Sequence, residues 1–269
     1  MKIAALQTVS GTSLQANLDR AHALLAEAAA AGAELAVLPE YFCLMGQRDT
    51  DKLAVREALG HGVVQDFLAQ AARELRLWVV GGTLPLAADD AQRVRNTSLA
   101  FSPQGECVAR YDKIHLFRYD NGREQYDEAR VIEGGRTPAA FTLPSRDGHA
   151  WRVGLSVCYD LRFPELYRAL EADLLLVPSA FTFTTGQAHW EVLLRARAIE
   201  NLAYVCAPAQ GGKHENGRRT WGHSMVVDPW GELLGQRADE GAGVVLADLD
   251  IARIAQVRQQ LPALEHRVL

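Results

Sequence analysis

Short apolar runs alternate with amphipathic stretches along the chain, and their order predicts the fold. Leu14, Leu18, Ala21, Leu25 and Ala28 are spaced by four and three residues, which predicts an amphipathic helix. Short apolar runs that end at Gly, Pro or charged residues are typical of buried strands. The predicted strands are 3–7, 34–40, 77–82, 97–101, 107–111, 140–142, 151–157, 172–178, 203–207, 224–228, 233–236 and 243–247. The predicted helices are 14–28, 63–75, 164–170, 189–201 and 251–260.

The order of these elements predicts two similar halves, each combining helices with paired strands. The strands are apolar on both faces, so each sheet must be covered on both sides. We expect a single α/β domain over residues 1–269, in which helices enclose a pair of mixed sheets. Residues 118–136 are polar and lack periodicity, and they are predicted to form a long loop.

The net charge and the cysteine spacing argue against several classes of protein. A net charge of −5 argues against general nucleic-acid binding. No apolar stretch approaches the length of about 20 residues that a membrane span needs, and the apolar start is too short for a signal peptide. The four cysteines are far apart and form no Cys-x-x-Cys pair, which indicates neither a zinc site nor a disulfide framework. We therefore expect a cytoplasmic protein that binds neither nucleic acid nor membranes.

A cysteine follows one of the buried strands. The apolar run 153–157 ends at Cys158, and Pro164 suits the first turn of the next helix, where its missing N–H costs nothing. Cys158 thus lies where a strand stops and the chain turns, which in a parallel sheet is the edge that binds ligands. Backbone N–H groups in such a turn can stabilise a thiolate or an oxyanion. The alternative is a small buried hydrophobic residue, as most free cysteines are.

Glu40 and Lys113 also end or follow strand-like runs. A carboxylate within reach of a thiol can take its proton, and it does so best when burial raises its own pKa. A lysine beside that acid keeps its charge and can polarise an anionic intermediate. Together with Cys158, these residues form a consistent set for acyl transfer. Taken singly, Glu40 could cap a helix and Lys113 could be a solvated charge.

A cysteine–histidine dyad is the competing arrangement, with His115, His189 and His223 as candidates. His115 lies between two apolar residues, which favours a core histidine that bonds to the backbone. His189 falls in the first turn of a predicted helix, and His223 precedes a strand. A metal site is disfavoured because no His-x-x-x-His spacing exists. Arg197 lies on the apolar stripe of the helix 189–201 and is interpreted as a member of an ion pair, with a substrate ligand as the alternative.

Three sequence blocks surround the acid, the lysine and the thiol: Pro39-Glu40-Tyr41, Asp112-Lys-Ile-His-Leu-Phe117 and Ser156-Val-Cys-Tyr-Asp-Leu-Arg-Phe-Pro-Glu165. They resemble the signature blocks of the nitrilase superfamily, the carbon–nitrogen hydrolases. The resemblance implies an α-β-β-α sandwich, often paired with a second subunit, so we expect a homodimer or a larger homo-oligomer. It implies Glu40 as general base, Lys113 as oxyanion stabiliser and Cys158 as nucleophile.

The same resemblance implies further site residues and no metal or organic cofactor. Glu128 matches a second acid that supports the lysine and the incoming substrate. The backbone N–H of Tyr159 would complete the oxyanion hole. Arg118 and Arg123 belong to the predicted loop, where they could meet substrate carboxylates or remain solvated loop charges.

Residues 178–182, 186–200 and 222–231 are similar to the branch of deaminated-glutathione amidases. Within the first of these segments, Phe181 and Thr182 are expected to support the substrate. Such enzymes hydrolyse a small α-keto-amide to 2-oxoglutarate and cysteinylglycine, so the expected partner is a small-molecule amide. The alternatives are an ω-amidase that acts on 2-oxoglutaramate, another nitrile, amide or carbamoyl hydrolase, and a non-catalytic interaction module on the same scaffold.

Overall fold

Two stacked β-sheets form the centre of the protein in a computed structural model that describes residues 1–268. The strands are Lys2–Gln7 (β1), Leu35–Val37 (β2), Trp78–Val80 (β3), Leu84–Ala87 (β4), Val94–Phe101 (β5), Cys107–Asp112 (β6), Arg118–Asp120 (β7), Gln125–Asp127 (β8), Ala139–Pro144 (β9), Ala150–Leu155 (β10), Leu174–Leu176 (β11), Tyr204–Ala207 (β12), Gly211–Lys213 (β13), Arg219–Trp221 (β14), Met225–Val227 (β15), Leu233–Gln236 (β16) and Gly243–Asp248 (β17). The helices are Leu14–Ala30 (α1), Asp51–Ala54 (α2), Val63–Leu75 (α3), Pro164–Leu170 (α4), Phe183–Asn201 (α5) and Ile251–Gln260 (α6), with 3₁₀ turns at Glu128–Arg130 and Cys158–Arg162.

The first sheet has seven strands around a parallel centre. β1, β2 and β3 are parallel neighbours, and β17 joins β1 in antiparallel orientation. β3, β4 and β6 all pair antiparallel with the long strand β5. Parallel neighbours need crossover connections, and α1 and α3 provide them.

The second sheet has six strands in the order β16-β15-β12-β11-β10-β9. Its centre is again parallel, because β10, β11 and β12 run in the same direction. α4 and α5 provide the crossovers between these strands. The two halves therefore repeat the same arrangement of strands and helices, as the sequence pattern predicted.

Alternating side chains of the first sheet contact two different layers. Ile3 and Ala5 belong to the core that both sheets share, whereas Ala4 and Leu6 pack in the core that contains the buried faces of α1 and α3. This alternation follows from the two-residue period of a strand. α4 and α5 cover the second sheet, with Trp190 fully buried. The layers are thus helix, sheet, sheet and helix, which confirms the α-β-β-α sandwich with mixed sheets and outer helices.

The prediction of one long loop over residues 118–136 is wrong. β7 and β8 form a hairpin there, and the 3₁₀ turn Glu128–Arg130 follows it. The Asn121 side chain accepts hydrogen bonds from the backbone N–H groups of Arg123 and Glu124, at 2.9 and 2.7 Å. The hairpin is mostly polar and its strands are three residues long, so it produces no recognisable period in the sequence.

The predicted helix 189–201 begins earlier than expected, at Phe183. Thr182 caps it, because the Thr182 hydroxyl accepts a hydrogen bond from the Thr185 N–H. Gly186 lies inside the helix, where an added Cβ atom would come within 2.2 Å of Trp221. The early glycine and threonines lower helix propensity, which hides these turns in the sequence. His189 is therefore in the second turn of the helix rather than the first.

The other predicted helices and strands are present, and besides β7 and β8 four more short elements were not predicted. Those four are α2, β4, β13 and β14. The predicted strands 34–40 and 172–178 are shorter in the structure, because residues at both ends of each lie outside the sheets. Across residues 1–268, the helices lack the combination of length and apolar composition needed to cross a membrane.

Gly82 allows two chain segments to approach each other closely beside Glu40. Its φ is +46°, and an added Cβ atom would lie 2.0 Å from the carbonyl oxygen of Pro39 and 2.6 Å from that of Leu38. Both neighbours are backbone atoms, which cannot rotate away as a side chain could. Because Glu40 directly follows Pro39, the absence of a side chain at Gly82 helps to fix where Glu40 lies.

Replacing Gly82 with alanine should lower the free energy of unfolding by about 3 kcal/mol or more, because the added methyl group must displace backbone. Gly32→Ala is the matched control. Gly32 also has a positive φ, of +84°, but nothing lies within 4 Å of an added Cβ atom. Its expected cost is only about 1 kcal/mol. Chemical denaturation of both variants measures the difference, and equal losses would contradict the role given to Gly82.

Candidate active site

Lys113 forms a buried charge cluster with two glutamates. Its Nζ lies 2.9 Å from Oε1 of Glu40, and 3.0 and 2.8 Å from Oε1 and Oε2 of Glu128. The side chain of Lys113 is 0% exposed and that of Glu40 is 1% exposed. Charges removed from water to this extent persist only when they are paired and hydrogen-bonded. The structure therefore brings together three of the residues that the sequence analysis selected.

Glu40 spans the junction between the two sheets. Asn96 of β5 donates its side-chain N–H to Oε1 of Glu40 at 2.9 Å. The backbone N–H of Ala180, which follows β11 in the second sheet, donates to Oε2 at 3.0 Å. Gln210 holds the backbone of the same residue by donating to the Glu40 carbonyl oxygen at 3.0 Å. These contacts fix the carboxylate in one orientation.

Glu128 is held by donors other than Lys113. The Tyr41 hydroxyl donates to Oε1 at 2.9 Å, and the backbone N–H of Phe117 donates to Oε2 at 2.7 Å. Glu128 begins the 3₁₀ turn that follows β8. These bonds explain why this part of the chain has a defined position despite its polar sequence.

The pKa values show which member of the cluster carries which charge. Burial disfavours the charge of Lys113, but Glu128 and Glu40 outweigh burial and raise the pKa of Lys113 well above its ordinary value. Burial likewise opposes ionisation of Glu128. The charge of Lys113, with hydrogen bonds from Lys113, Phe117 and Tyr41, outweighs burial and lowers the pKa of Glu128. At neutral pH, Lys113 is an ammonium and Glu128 is a carboxylate.

Cys158 begins the 3₁₀ turn that follows β10, and its φ is +51°. A positive φ is uncommon for a residue other than glycine. It turns the chain sharply from strand to helix, as at the nucleophile of hydrolases that use a strand–turn–helix elbow. The backbone N–H of Cys158 donates to the Pro178 carbonyl oxygen at 3.0 Å. The residue is 8% exposed, so it is neither sealed in the core nor freely solvated.

The thiol of Cys158 is protonated in the resting site. Burial raises its pKa well above the ordinary value, the negative charge of Glu40 raises it further, and Lys113 opposes both effects. The two charges with the largest effect on the pKa of Cys158 thus belong to the predicted acid and the predicted lysine. A base is therefore needed before this sulfur can act as a nucleophile.

A small cavity lies over Cys158. Its lining comprises Phe117, Cys158, Tyr159, Arg162, Ala180, Phe181, Thr182 and Thr185. Three predicted substrate-supporting residues, Tyr159, Phe181 and Thr182, are among them, and their roles remain predictions. Apolar and aromatic walls with a few polar groups are usual for small-molecule sites.

Arg162 and Thr185 line this cavity but were not selected from the sequence. The guanidinium carbon of Arg162 lies 5.7 Å from the ring centres of both Tyr159 and Phe181. Its Nη2 lies 3.3 Å from Nδ1 of His189. Arg162 ends the 3₁₀ turn that begins at Cys158, and both residues line the cavity. The sequence pattern does not distinguish a charge that faces a cavity from one that faces solvent.

The two arginines proposed as substrate contacts lie elsewhere. Arg118 and Arg123 are exposed on the β7–β8 hairpin, and neither belongs to the cavity lining. The structure therefore favours the alternative that both are solvated charges.

The histidines are held by groups other than Cys158. His115 Nδ1 lies 2.7 Å from Oδ1 of Asp160, so the expectation of a histidine that bonds to the backbone is wrong. The carboxylate partner lies 45 residues further along the chain, beyond the reach of any local pattern. His223 Nδ1 is bonded to the Trp221 carbonyl at 2.8 Å, and His189 is exposed on α5. This geometry disfavours the cysteine–histidine dyad.

Arg197 forms the ion pair predicted from its place on an apolar stripe. Its Nη1 lies 2.8 Å from Oε1 of Glu200. Its Nε and Nη2 donate to the Leu161 carbonyl oxygen at 3.0 and 2.8 Å. Because Leu161 belongs to the turn that begins at Cys158, Arg197 also stabilises that turn through the Leu161 carbonyl.

The arrangement combines a thiol on a cavity wall with a carboxylate and an ammonium whose charges act on that thiol. The carboxylate can accept a proton, the ammonium can stabilise a developing negative charge, and the thiol can attack an electrophilic carbon. These are the groups needed for acyl transfer through a covalent intermediate.

Comparisons with known proteins agree with this chemistry. The carbon-nitrogen hydrolase family matches residues 2–259. A deaminated glutathione amidase from Synechocystis is 43% identical over 98% of this chain and 97% of its own length. The human deaminated glutathione amidase is 40% identical over 98% of this chain and 81% of its own length. A human ω-amidase is 35% identical over 99% of this chain and 94% of its own length.

The fold also matches a solved structure of similar sequence. The crystal structure of the C. elegans NitFhit protein superposes with a TM-score of 0.89 at 36% identity and covers 99% of this chain. This chain spans 65% of that longer protein. Since the family match spans almost the whole sequence and the fold is shared, this chain belongs to the carbon–nitrogen hydrolase family.

Proposed function

We propose that this protein is a cysteine-dependent amidase that hydrolyses deaminated glutathione to 2-oxoglutarate and cysteinylglycine. The observation that carries the proposal is the position of Cys158 on the cavity wall, beside the buried Glu40–Lys113–Glu128 cluster. The names of the most similar relatives support the choice of substrate.

The first half of the reaction forms a thioester. Glu40 takes the proton of Cys158, and the thiolate attacks the amide carbon. The ammonium of Lys113 and the backbone N–H of Tyr159 stabilise the resulting oxyanion. Tyr159 is second in its 3₁₀ turn, where helix N–H groups have no partner within the helix. As the carbon–nitrogen bond breaks, Glu40 gives its proton to the leaving amine of cysteinylglycine.

The second half of the reaction releases the acid. Glu40 takes a proton from water, and the hydroxide attacks the thioester carbon. The carbon–sulfur bond then breaks, the sulfur recovers a proton from Glu40, and 2-oxoglutarate leaves. Throughout, Glu128 keeps Lys113 charged and in place. The acid, the ammonium and the thiol supply every proton transfer and the nucleophile, so the proposal requires neither a metal nor an organic cofactor.

Arg162 supplies the positive charge that an anionic substrate needs. Among residues 1–268, no carboxylate oxygen lies within 4.0 Å of its guanidinium nitrogens, so its charge is available to a ligand. The α-keto-acid end of deaminated glutathione carries a carboxylate, and arginine binds that group in a bidentate manner. Phe181 and Thr182, which also line the cavity, support the rest of the substrate.

An ω-amidase activity on 2-oxoglutaramate is the second candidate, because a human ω-amidase is also similar to this chain. Both substrates have the same α-keto-acid end, so Arg162 would bind either one. They differ in the leaving group, which is cysteinylglycine in one case and ammonia in the other. The product therefore distinguishes the two functions.

We further propose that the chain acts as a single domain, works in the cytoplasm and forms a homodimer or a larger homo-oligomer. All four cysteines are free, which suits a reducing compartment. Val192 and Ile199 on α5 are 70% and 44% exposed, and apolar side chains in this position suit contact with a second copy.

Incubation of the enzyme with deaminated glutathione should release 2-oxoglutarate together with cysteinylglycine. Its kcat/KM should exceed that for 2-oxoglutaramate, measured by ammonia release, by at least about tenfold. Cys158→Ala should remain folded by circular dichroism and lose this activity, because no other group can form the thioester. Full activity in Cys158→Ala would overturn the mechanism, whereas a preference for 2-oxoglutaramate would overturn only the substrate.

The alkylation rate of Cys158 by iodoacetamide should rise about tenfold per pH unit from about pH 6 to 8, because its raised pKa leaves only a small thiolate fraction. Cys107→Ser provides the background, since Cys107 is the exposed thiol. Glu40→Gln removes a charge that raises the pKa, so it should move the profile to lower pH while amidase activity is lost. A plateau near pH 6 in the parent protein would contradict the protonated resting thiol.

Arg162→Met should raise KM for deaminated glutathione about thirtyfold, which corresponds to the about 2 kcal/mol of a hydrogen bond to a charged group. Its kcat should change much less, because Arg162 binds the part of the substrate that does not react. Arg123→Met removes an exposed arginine of the β7–β8 hairpin and should leave both constants unchanged. Steady-state kinetics of the two variants test this, and an unchanged KM in Arg162→Met would refute the carboxylate contact.

A further inference from the structure

Asp160 is a fully buried carboxylate two residues after Cys158, and four hydrogen bonds surround it. Its side chain is 0% exposed. Oδ2 accepts from the Tyr111 hydroxyl at 2.7 Å and from the Val157 N–H at 2.8 Å. Oδ1 accepts from the His115 N–H at 3.1 Å and lies 2.7 Å from His115 Nδ1. Asp160 does not line the cavity.

These donors come from the two segments that carry the reacting groups. Val157 immediately precedes Cys158, two residues after the end of β10 in the second sheet. Tyr111 and His115 flank Lys113, each two residues away from it, where the chain leaves the first sheet. One carboxylate thus bonds to both sides of Lys113 and to the residue before Cys158.

The far end of the same turn is joined to the lysine segment by a second contact. The His115 ring stacks on Phe163, with the ring centres 3.6 Å apart and the planes 6° from parallel. Phe163 directly follows the 3₁₀ turn that begins at Cys158. Residues held at a positive φ persist only when their surroundings determine them strongly, and Cys158 has such a φ. The contacts of Asp160 and His115 hold the turn on both sides of Cys158 and so stabilise this φ.

We propose that Asp160 is a positioning residue that sets the distance between the Lys113 ammonium and the Cys158–Tyr159 backbone. The ammonium and the backbone approach the oxyanion from different sheets. They stabilise it together only when the segment that carries Lys113 and the turn that begins at Cys158 keep their relative positions. The proposal rests on the amidase function proposed above and adds to it the group that joins the two halves of the oxyanion site.

Only a carboxylate can accept hydrogen bonds from the lysine segment and from the cysteine segment at once. The two backbone donors, Val157 N–H and His115 N–H, point at different oxygens of Asp160. Neither can become an acceptor. An asparagine presents one oxygen and one NH₂ group, so one backbone N–H must face another donor. The segment that loses its bond will then move relative to the other.

The test is Asp160→Asn, compared with the parent enzyme on the amide that the parent hydrolyses best. The expected result is a fall in kcat on the order of a hundredfold, the usual effect of removing one oxyanion donor, with KM within about threefold. Alkylation of Cys158 by iodoacetamide at the same pH should stay within about threefold of the parent, because that reaction forms no oxyanion. A purely structural role would not separate the two rates in this way.

Asp228→Asn is the matched control. Asp228 is also buried, and its Oδ1 accepts from the N–H groups of Trp230 and Glu232, both at 2.8 Å, in a turn outside the cavity. Its replacement should lower the melting temperature but leave kcat and KM within about twofold. This comparison separates loss of a buried aspartate from loss of this particular one.

Should Asp160→Asn fail to fold, His115→Phe tests the same inference. It retains the ring stack on Phe163 and the backbone bond to Asp160, and it removes the bond from Nδ1. We expect kcat to fall about tenfold with KM unchanged. A factor of about ten corresponds to the usual net contribution of one hydrogen bond. An unchanged kcat in a folded His115→Phe would overturn the proposal in that case.

Two results would overturn the role of Asp160 in an active parent enzyme. One is a kcat within threefold of the parent in Asp160→Asn. The other is an equal fall of hydrolysis and alkylation, which would mean that Asp160 supports only the thiol or the fold. A parent enzyme that hydrolyses no amide would instead reject the proposed function, and this inference with it.

Discussion

The buried charge of Lys113 is the constraint on which the site depends. An ammonium removed from water must be surrounded by acceptors, and here Glu40 and Glu128 provide them. These two acids come from different parts of the chain, one after β2 and the other after β8. Glu40 also accepts a hydrogen bond from Ala180 of the second sheet. Satisfying one charge therefore fixes the relative positions of both sheets and of the polar hairpin that leads to Glu128.

The same cluster gives the site its chemical asymmetry. Lys113 is kept charged by its two acids, while burial and Glu40 keep the Cys158 thiol protonated. A fixed positive charge thus lies close to a neutral nucleophile, in a place from which water is largely excluded. Charges and dipoles arranged in this way need little reorganisation when negative charge develops on a substrate oxygen. The cost of burying the Lys113 charge is offset by its attraction to the two acids and by their hydrogen bonds.

Most regular elements could be predicted from the sequence, because buried strands and amphipathic helices leave a period among nearby residues. Each exception has an identifiable cause. β7 and β8 are too short and too polar to show a period. Glycine and threonine at the start of α5 are typical of loops, so the sequence pattern there does not indicate a helix. His115 was misjudged since its neighbours are apolar, whereas its partner Asp160 comes from a distant turn. Arg162 was missed because a charge that faces a cavity has the same sequence pattern as one that faces solvent.

The sequence by itself determined the residue types at three strand ends, the order of the elements and the family to which the motifs belong. Only the tertiary structure decided which charges meet. The bond between Lys113 and Glu40 joins residues 73 positions apart, and that between Ala180 and Glu40 joins residues 140 apart. The tertiary structure also decided that Arg162, rather than Arg118 or Arg123, faces the cavity. The physical reason is range: periodicity reports a residue's neighbours within a turn or two, whereas desolvation and Coulomb attraction depend on what folding brings within a few ångströms.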